Sequence, residues 1–311
     1  MITTHQKKQN QVMNPHDHNF KNLFLDFPKE ALAWLFPEAE QNWGQVINVE
    51  FVRQEPKKHS LSDKSLELDM PILFHFEHQQ LLLWLVEFQE DKGKFSIYKL
   101  LRYTTDLMEA YPQALVIPTV LFTDEKRWRK SVLQHLHTQL NDRLFLHFEY
   151  VFHKLFDLNA RDYYNINNPV VKILLPKMRY KKEERIDVIR QAYTGLYQLV
   201  SSGLFDKYVD FIDTYAGIGE LEQQELYNEI VQHKDTAMLS EYIRNKGIEQ
   251  GIEQGIIQKA KKDIIDILRL RFGKVPHKIV ETINRTDDLE ILDSYFKQVV
   301  QINGIDQLRF F

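Results

Sequence analysis

The stretch Leu81-Leu82-Leu83-Trp84-Leu85-Val86-Glu87-Phe88-Gln89 is apolar at every position until Glu87. Apolar residues on both parities of a strand mark one covered on two sides, the signature of a central strand in an α/β sheet. Upstream, Leu68 to Phe76 forms a second β-like run, separated from the first by the polar Glu77-His78-Gln79-Gln80. The two runs predict a β-hairpin. Glu87 and Gln89 are two apart and share one strand face. Asp69, on the first run, joins that face only if the hairpin register pairs residues of equal parity, because directly opposed side chains lie on one face. The turn must then hold an odd number of residues, or a bulge must shift the count. A two-residue turn at His78-Gln79 would send Asp69 to the opposite face.

Working outward, Phe20, Leu23, Phe24 and Phe27, then Ala31, Leu32, Leu35 and Phe36, recur at three and four, with Pro28 between them and Pro37 after them, predicting two short helices. Downstream of the hairpin, Ile97, Leu100, Leu101, Leu107 and Met108 predict a helix over Phe95 to Tyr111. Ala114 to Thr123 returns to a β-like run in which Pro118 suggests a bulge or a strand near an edge. A further β-like run spans Phe145 to Phe152. Helix, strand, strand, helix, strand describes an α/β core. From about Lys182 the periodicity is helical almost throughout. Near 246 the tetrads Gly247-Ile248-Glu249-Gln250 and Gly251-Ile252-Glu253-Gln254, followed by Gly255-Ile256, set glycines beside isoleucines. A period of four drifts about 40° per repeat on a helix, so such a stripe lasts a few turns. Each glycine costs roughly 0.8 to 1 kcal/mol of helicity, which points to close packing, a flexible connector, or both. Asp263 to Phe311 reads as two or three short helices, the first ended by Gly273 and Pro276. The organisation expected is a mobile tail over 1–14, an α/β domain over 15–178, a helical accessory region over 179–245, and a linker helix with further helices over 246–311.

Composition narrows the chemistry. The 311 residues carry 40 Lys and Arg against 44 Asp and Glu, a formal charge of −4, with 43% hydrophobic and 27% charged residues and no cysteine. Thiolate zinc sites, iron–sulfur clusters and a cysteine nucleophile are excluded. Leu81 to Val86 is the longest apolar stretch, far short of the roughly 20 residues of a membrane-spanning helix, and Met1 to Met13 lacks the apolar core of a signal peptide. These features predict a cytoplasmic protein without membrane contact.

Asp69 and Glu87 would present hard oxygen ligands on one strand face, the kind Mg²⁺ takes while keeping several waters. The Phe88 carbonyl offers a third. Such an ion polarises a phosphate oxygen and lowers the pKa of water, which suits phosphodiester hydrolysis. A buried structural network around the two carboxylates is the alternative.

The order of these elements resembles the PD-(D/E)xK nuclease superfamily. More narrowly, the chain resembles the Rpn family of recombination-promoting nucleases, also called YhgA-like putative transposases. The resemblance rests on His16-Asp17-His18-Asn19-Phe20-Lys21, Leu68-Asp69-Met70-Pro71, Leu85-Val86-Glu87-Phe88-Gln89-Glu90 and Arg102-Tyr103, and continues through the Gly-Ile-Glu-Gln repeat to Leu268-Arg269-Leu270-Arg271-Phe272-Gly273. It implies an α/β, restriction-endonuclease-like core with a helical C-terminal region. It also implies an Mg²⁺-dependent DNA endonuclease linked to recombination or mobile elements, with Asp69, Glu87 and Gln89 catalytic and Asp69 and Glu87 holding the metal. Gln89 stands where many relatives of the superfamily have lysine. An amide orients a water or phosphate but is no base near neutral pH, so either the ion alone generates the nucleophile or a nearby cation, Lys99 or Arg102, assists. Asp17 and Lys21 become accessory residues by the same resemblance, although an Asp ahead of an apolar-periodic run is also a helix cap.

DNA contact must come from local patches, since the net charge is negative. Lys126, Arg127, Arg129 and Lys130 surround Trp128, which can stack on a base or pack beneath its neighbours; Lys177, Arg179, Lys181, Lys182 and Arg185 form a second patch, diluted by Glu183 and Glu184. A solvated surface is the alternative for both. Binding through phosphates should weaken steeply with salt. His135 and His137 lie in a polar segment without a convincing ligand spacing, and Gly217-x-Gly219 lacks the context of a dinucleotide fingerprint. The competing functional reading is a non-catalytic protein that self-associates through the 246–260 helix.

Overall fold

In a computed structural model, the described residues are 15–52, 70–232 and 236–310. Chain contacts divide the protein into two units, Met1–Glu229 and Ile230–Phe311.

The first unit opens with α1 (Pro15–Asp26), α2 (Pro28–Leu35) and α3 (Glu38–Trp43). Pro28 at the start of α2 has no amide of its own to leave unmet there. A five-stranded sheet follows, ordered β1 (Val46–Phe51), β2 (Met70–Phe76), β3 (Leu81–Gln89), β4 (Leu115–Phe122) and β7 (Val151–Lys154). β2 runs antiparallel to both its neighbours, β1 and β3; β3, β4 and β7 run parallel. The parallel step from β3 to β4 is made through α4 (Ile97–Ala110), whose Ser96 side chain caps the Lys99 amide. β5 (His135–Leu140) and β6 (Arg143–Glu149) form a separate two-stranded ribbon.

β3 is the central strand its sequence predicts: all but Leu81 are buried. On one face Phe24 of α1 packs against Trp84, tilted, and Phe88, edge-on, at 5.8 and 4.8 Å between ring centres. On the other, Leu83, Leu85, Val120 and Phe122 pack with Leu100, Tyr103 and Leu107 of α4. The sheet is thus covered on both sides. α5 (Pro169–Leu174), capped by Asn168, is buried along its length and leads to α6 (Arg185–Leu199), α7 (Ser202–Ala216) and α8 (Glu220–Gln232). Phe211 of α7 meets Phe20 of α1 edge-on at 5.3 Å.

The hairpin turn has the odd length that the parity argument requires. Register runs from Met70 opposite Val86 to His75 opposite Leu81, and Phe76 N–H donates to Gln80 O at 3.0 Å. Glu77, His78 and Gln79 form the loop, with Gln79 N–H donating back to Phe76 O at 3.1 Å and Gln79 at φ +60°. This is a three-residue loop closed by a left-handed residue. Glutamine is strained there, so Gln79→Gly is expected to stabilise the protein by about 0.5 kcal/mol, the relief of αL strain exceeding the extra chain entropy of glycine. The midpoint of urea unfolding, at unchanged slope, measures it.

Pro118 fits the near-edge alternative: β4 lies beside the edge strand β7 and is unbroken in register at Leu85–Pro118, and β7 begins opposite Thr119, one residue later. Two expectations need correction. The run Phe145 to Phe152 is two strands, because the chain leaves the ribbon at Tyr150 and enters the main sheet at Val151. The "polar" segment at His135 is strand β5. β1, with mostly exposed residues, has no counterpart in the sequence reading.

The second unit contains α9 (Ala237–Phe272), α10 (His277–Arg285) and α11 (Leu289–Gln301). Ile264, Leu268, Ile283, Leu292, Tyr295 and Val299 make its core. Lys261 is buried and donates to Asn284 O at 2.8 Å and to Asp287 at 2.6 Å. The Gly-Ile-Glu-Gln repeat is helical throughout, within α9.

Candidate active site

Glu87 and Gln89 close the C-terminal end of β3, 7% and 9% exposed, on the face that carries Leu83 and Leu85 toward α4. The sequence positions them because they follow the apolar run Leu81 to Val86 on the same strand, at alternate positions that share its α4-facing side. Gln89 Nε2 donates to Asp91 O at 2.7 Å, turning its amide oxygen into the acceptor available to the site. Its own carbonyl accepts from Thr123 N–H at 3.1 Å. Tyr150 packs in the same cluster and donates to Leu133 O at 3.2 Å; burial first, and the negative Glu87 second, push its phenol well above the ordinary value. Asp69 lies outside the described residues. The register, ending at Met70 opposite Val86, stops one pair short of Glu87.

Lys99 and Arg102 sit on α4. Lys99 folds over the Tyr103 ring at 5.2 Å, and Tyr103 belongs to the cluster beneath Glu87; Arg102 is exposed, its Nε bonded to Tyr98 O at 3.4 Å. Lys21 is on α1, which packs against the opposite face of β3. The α1 helix begins at Pro15, so Asp17 is in its first turn and does not precede it as a cap.

Just beyond the sheet's C-terminal edge, the segment 124–130 has no regular structure yet is clamped by its neighbours. Lys154, almost fully buried, donates to Lys126 O at 2.7 Å; Lys92 donates to Lys130 O at 2.9 Å. Both ammonium groups lie over the Trp128 ring, at 5.0 and 4.9 Å. The indole N–H donates to Asp124 at 2.8 Å, and the ring meets Phe122 edge-on at 4.8 Å. Trp128 therefore packs beneath its neighbours, and the base-stacking alternative is set aside. The exposed Lys126, Arg127 and Arg129 border an open groove of about 620 Å³ with Glu90, Asp91 and Asp124. Lys154 and Lys92 were missed in the sequence; no spacing marks them, since their role depends on β7 and a turn reaching the same loop.

Two residues of the second basic patch are spent on structure. Lys177 pairs with Glu125 at 2.7 Å, and Arg185 pairs with Glu222 at 2.8 Å while also donating to the carbonyls at the end of α7. That pairing raises the Arg185 guanidinium above its ordinary value and lowers the Glu222 carboxyl.

Among the described residues no group of three or more His, Asp or Glu is placed to hold a metal ion, and no helix is long and apolar enough to cross a membrane. Residues 14–203, more than half the chain, match the family described as "Putative transposase, YhgA-like". The chain belongs to that family. The YhgA-like match holds every strand of the main sheet and both Glu87 and Gln89, and it ends at the start of α7. No curated protein and no solved structure matches the chain.

Proposed function

We propose that the protein is a Mg²⁺-dependent DNA endonuclease of the PD-(D/E)xK type acting in recombination or in the movement of mobile elements. The observation that carries this reading is a buried carboxylate, Glu87, and an amide, Gln89, presented on one face at the end of the central strand of a mixed sheet. Membership of a transposase family supports it, as do the odd-length hairpin turn and the clamped basic segment beside the strand end.

The donors fit the ion: all are hard oxygens, and an ionised carboxylate is costly at the end of an apolar strand unless something positive meets it. Asp69 and Glu87 would hold Mg²⁺, which when bound supplies a polarising charge on the phosphate. Gln89, held through Nε2 by Asp91 O, accepts a hydrogen bond from the attacking water through Oε1 and so fixes its direction. Water then displaces the leaving sugar oxygen in line. Lys126, Arg127, Arg129 and Lys130 hold flanking phosphates, their backbone already fixed by Lys154 and Lys92.

The test is nicking of supercoiled plasmid by purified wild type, Asp69→Ala and Glu87→Ala with Mg²⁺. Activity confined to the wild type supports the reading; equal nicking by all three assigns it to a contaminant, and none under any divalent ion rejects it.

A second reading concerns partners. Ile248, Ile252 and Ile256 on α9 are 54%, 59% and 52% exposed, and a methyl at Gly247, Gly251 or Gly255 would meet nothing within 4 Å. We propose self-association through the 246–260 helix, whether or not the chain is a nuclease. Deleting 246–311 is expected to lower the mass seen by light scattering to that of a monomer; an unchanged oligomeric state discards the idea.

A further inference from the structure

The ribbon has two unlike faces. Leu136 and Phe148, directly opposed across β5 and β6, are buried against the α4 side of the core. The other face sets His137 opposite His147 and His135 opposite Glu149, all exposed. The two histidine rings stand 5.9 Å apart between centres at 79°, and His147 Nε2 is 3.7 Å from Glu149 Oε2. We propose that His137 and His147, with Glu149 as a third donor, form a surface site for a borderline transition-metal ion such as Zn²⁺.

The spacing carries the argument. An ion about 2.0–2.1 Å from one nitrogen of each ring lies about 3.2 Å from each ring centre, so two imidazoles sharing it have centres about 5.2 Å apart at a tetrahedral angle and about 6.4 Å apart when linear. The observed 5.9 Å lies between those two values, about 0.7 Å wide of the tetrahedral one. Only rings and exposed contacts need to turn: His137 would release Gln139, 3.0 Å away, and His147 would turn with Glu149 toward the ion. No three donors converge as they stand; the pair supplies two, Glu149 is the nearest third, and water completes the shell. Imidazole suits Zn²⁺, Cu²⁺ and Ni²⁺, whereas Mg²⁺ prefers oxygen, so this site and the proposed one at Glu87 sort by metal. The site also has a mechanical consequence. The register shifts between Thr138 and Gln139, one residue beyond the histidine pair, and the tip past it exposes Leu140, Leu144 and Phe145. An ion bridging the strands there would hold the ribbon on the core side of that irregularity.

Titration calorimetry of the full chain with Zn²⁺ at neutral pH, in excess Mg²⁺, tests this. One equivalent is expected to bind, with binding lost in His137→Asn/His147→Asn and weakened in Glu149→Gln, and retained in Glu87→Gln and in His16→Asn/His18→Asn. Backbone amide exchange over 135–149 should slow with Zn²⁺ in the wild type alone. No Zn²⁺ binding by the wild type, or equal binding by the His137/His147 double variant, overturns the proposal. Failure here leaves the nuclease reading standing, since the two sites share no residue.

Discussion

Glu87→Gln is expected to reduce Mg²⁺-dependent plasmid nicking by at least roughly 100-fold, about 2.7 kcal/mol of transition-state stabilisation, while leaving the unfolding temperature unchanged or higher. The two readouts separate the competing roles of this residue. As a metal ligand, the carboxylate is retained at a cost: a charge 7% exposed at the end of an apolar strand is poorly solvated. The amide has nearly the same shape, keeps one acceptor oxygen while exchanging the other for an N–H donor, and removes that charge, so folding does not suffer while the ion loses its ligand. As the anchor of a structural ion network, the same substitution would leave a partner charge buried and lower stability along with activity. A fall in unfolding temperature accompanying the loss of nicking would therefore move Glu87 from the chemistry to the scaffold. Tyr150 gives an internal check, because the Glu87 charge helps to raise its phenol; in the variant it should ionise at lower pH.

What the sequence disclosed follows from how strongly each element is buried. β3 was legible because a strand covered on both faces must be apolar at every position, and its one carboxylate stood out for the same reason. The turn was legible as a condition: parity alone required an odd loop, and Glu77-His78-Gln79 supplies it. β1 was not legible, because an edge strand with one well-buried residue, Val46, offers no periodicity and owes its form to pairing with β2. β5 was hidden similarly, with only Leu136 buried among polar neighbours. The end of one strand and start of the next at Tyr150 cannot be seen in an unbroken apolar run, since the break is made by two different sheets claiming adjacent segments. The glycine repeat was legible as a helix from its four-residue period despite the poor helix propensity of glycine, and α9 runs continuously through it into residues anchored by the core of the second unit. Of the candidate site, the residue types and shared face of Glu87 and Gln89 were readable. The clamping of 124–130 by Lys154 and Lys92 was not, because it joins residues brought together only by the parallel sheet.

Trp84→Ala should be the most damaging single change in the first unit, costing about 3–5 kcal/mol and lowering the unfolding temperature by roughly 10 °C for a unit of this size. Trp84 is fully buried, touches the rings of Phe24 and Phe74, and donates its indole N–H to Thr119 Oγ1 at 2.7 Å. Alanine would leave a cavity between α1 and the sheet and would also orphan the Thr119 hydroxyl, itself 0% exposed. These two costs can be measured apart. Trp84→Phe keeps most of the ring but not the donor, so its penalty of about 1–3 kcal/mol is mainly that of an unsatisfied buried hydroxyl. Adding Thr119→Val, which removes the acceptor in nearly the same shape, should recover part of that loss. Additive penalties in this cycle would show the bond to be energetically idle. The functional consequence follows from position: Trp84 and Thr119 join β3 to β4 three residues before Glu87. Trp84→Ala should therefore lose nicking and stability together, the opposite of the separation expected for Glu87→Gln.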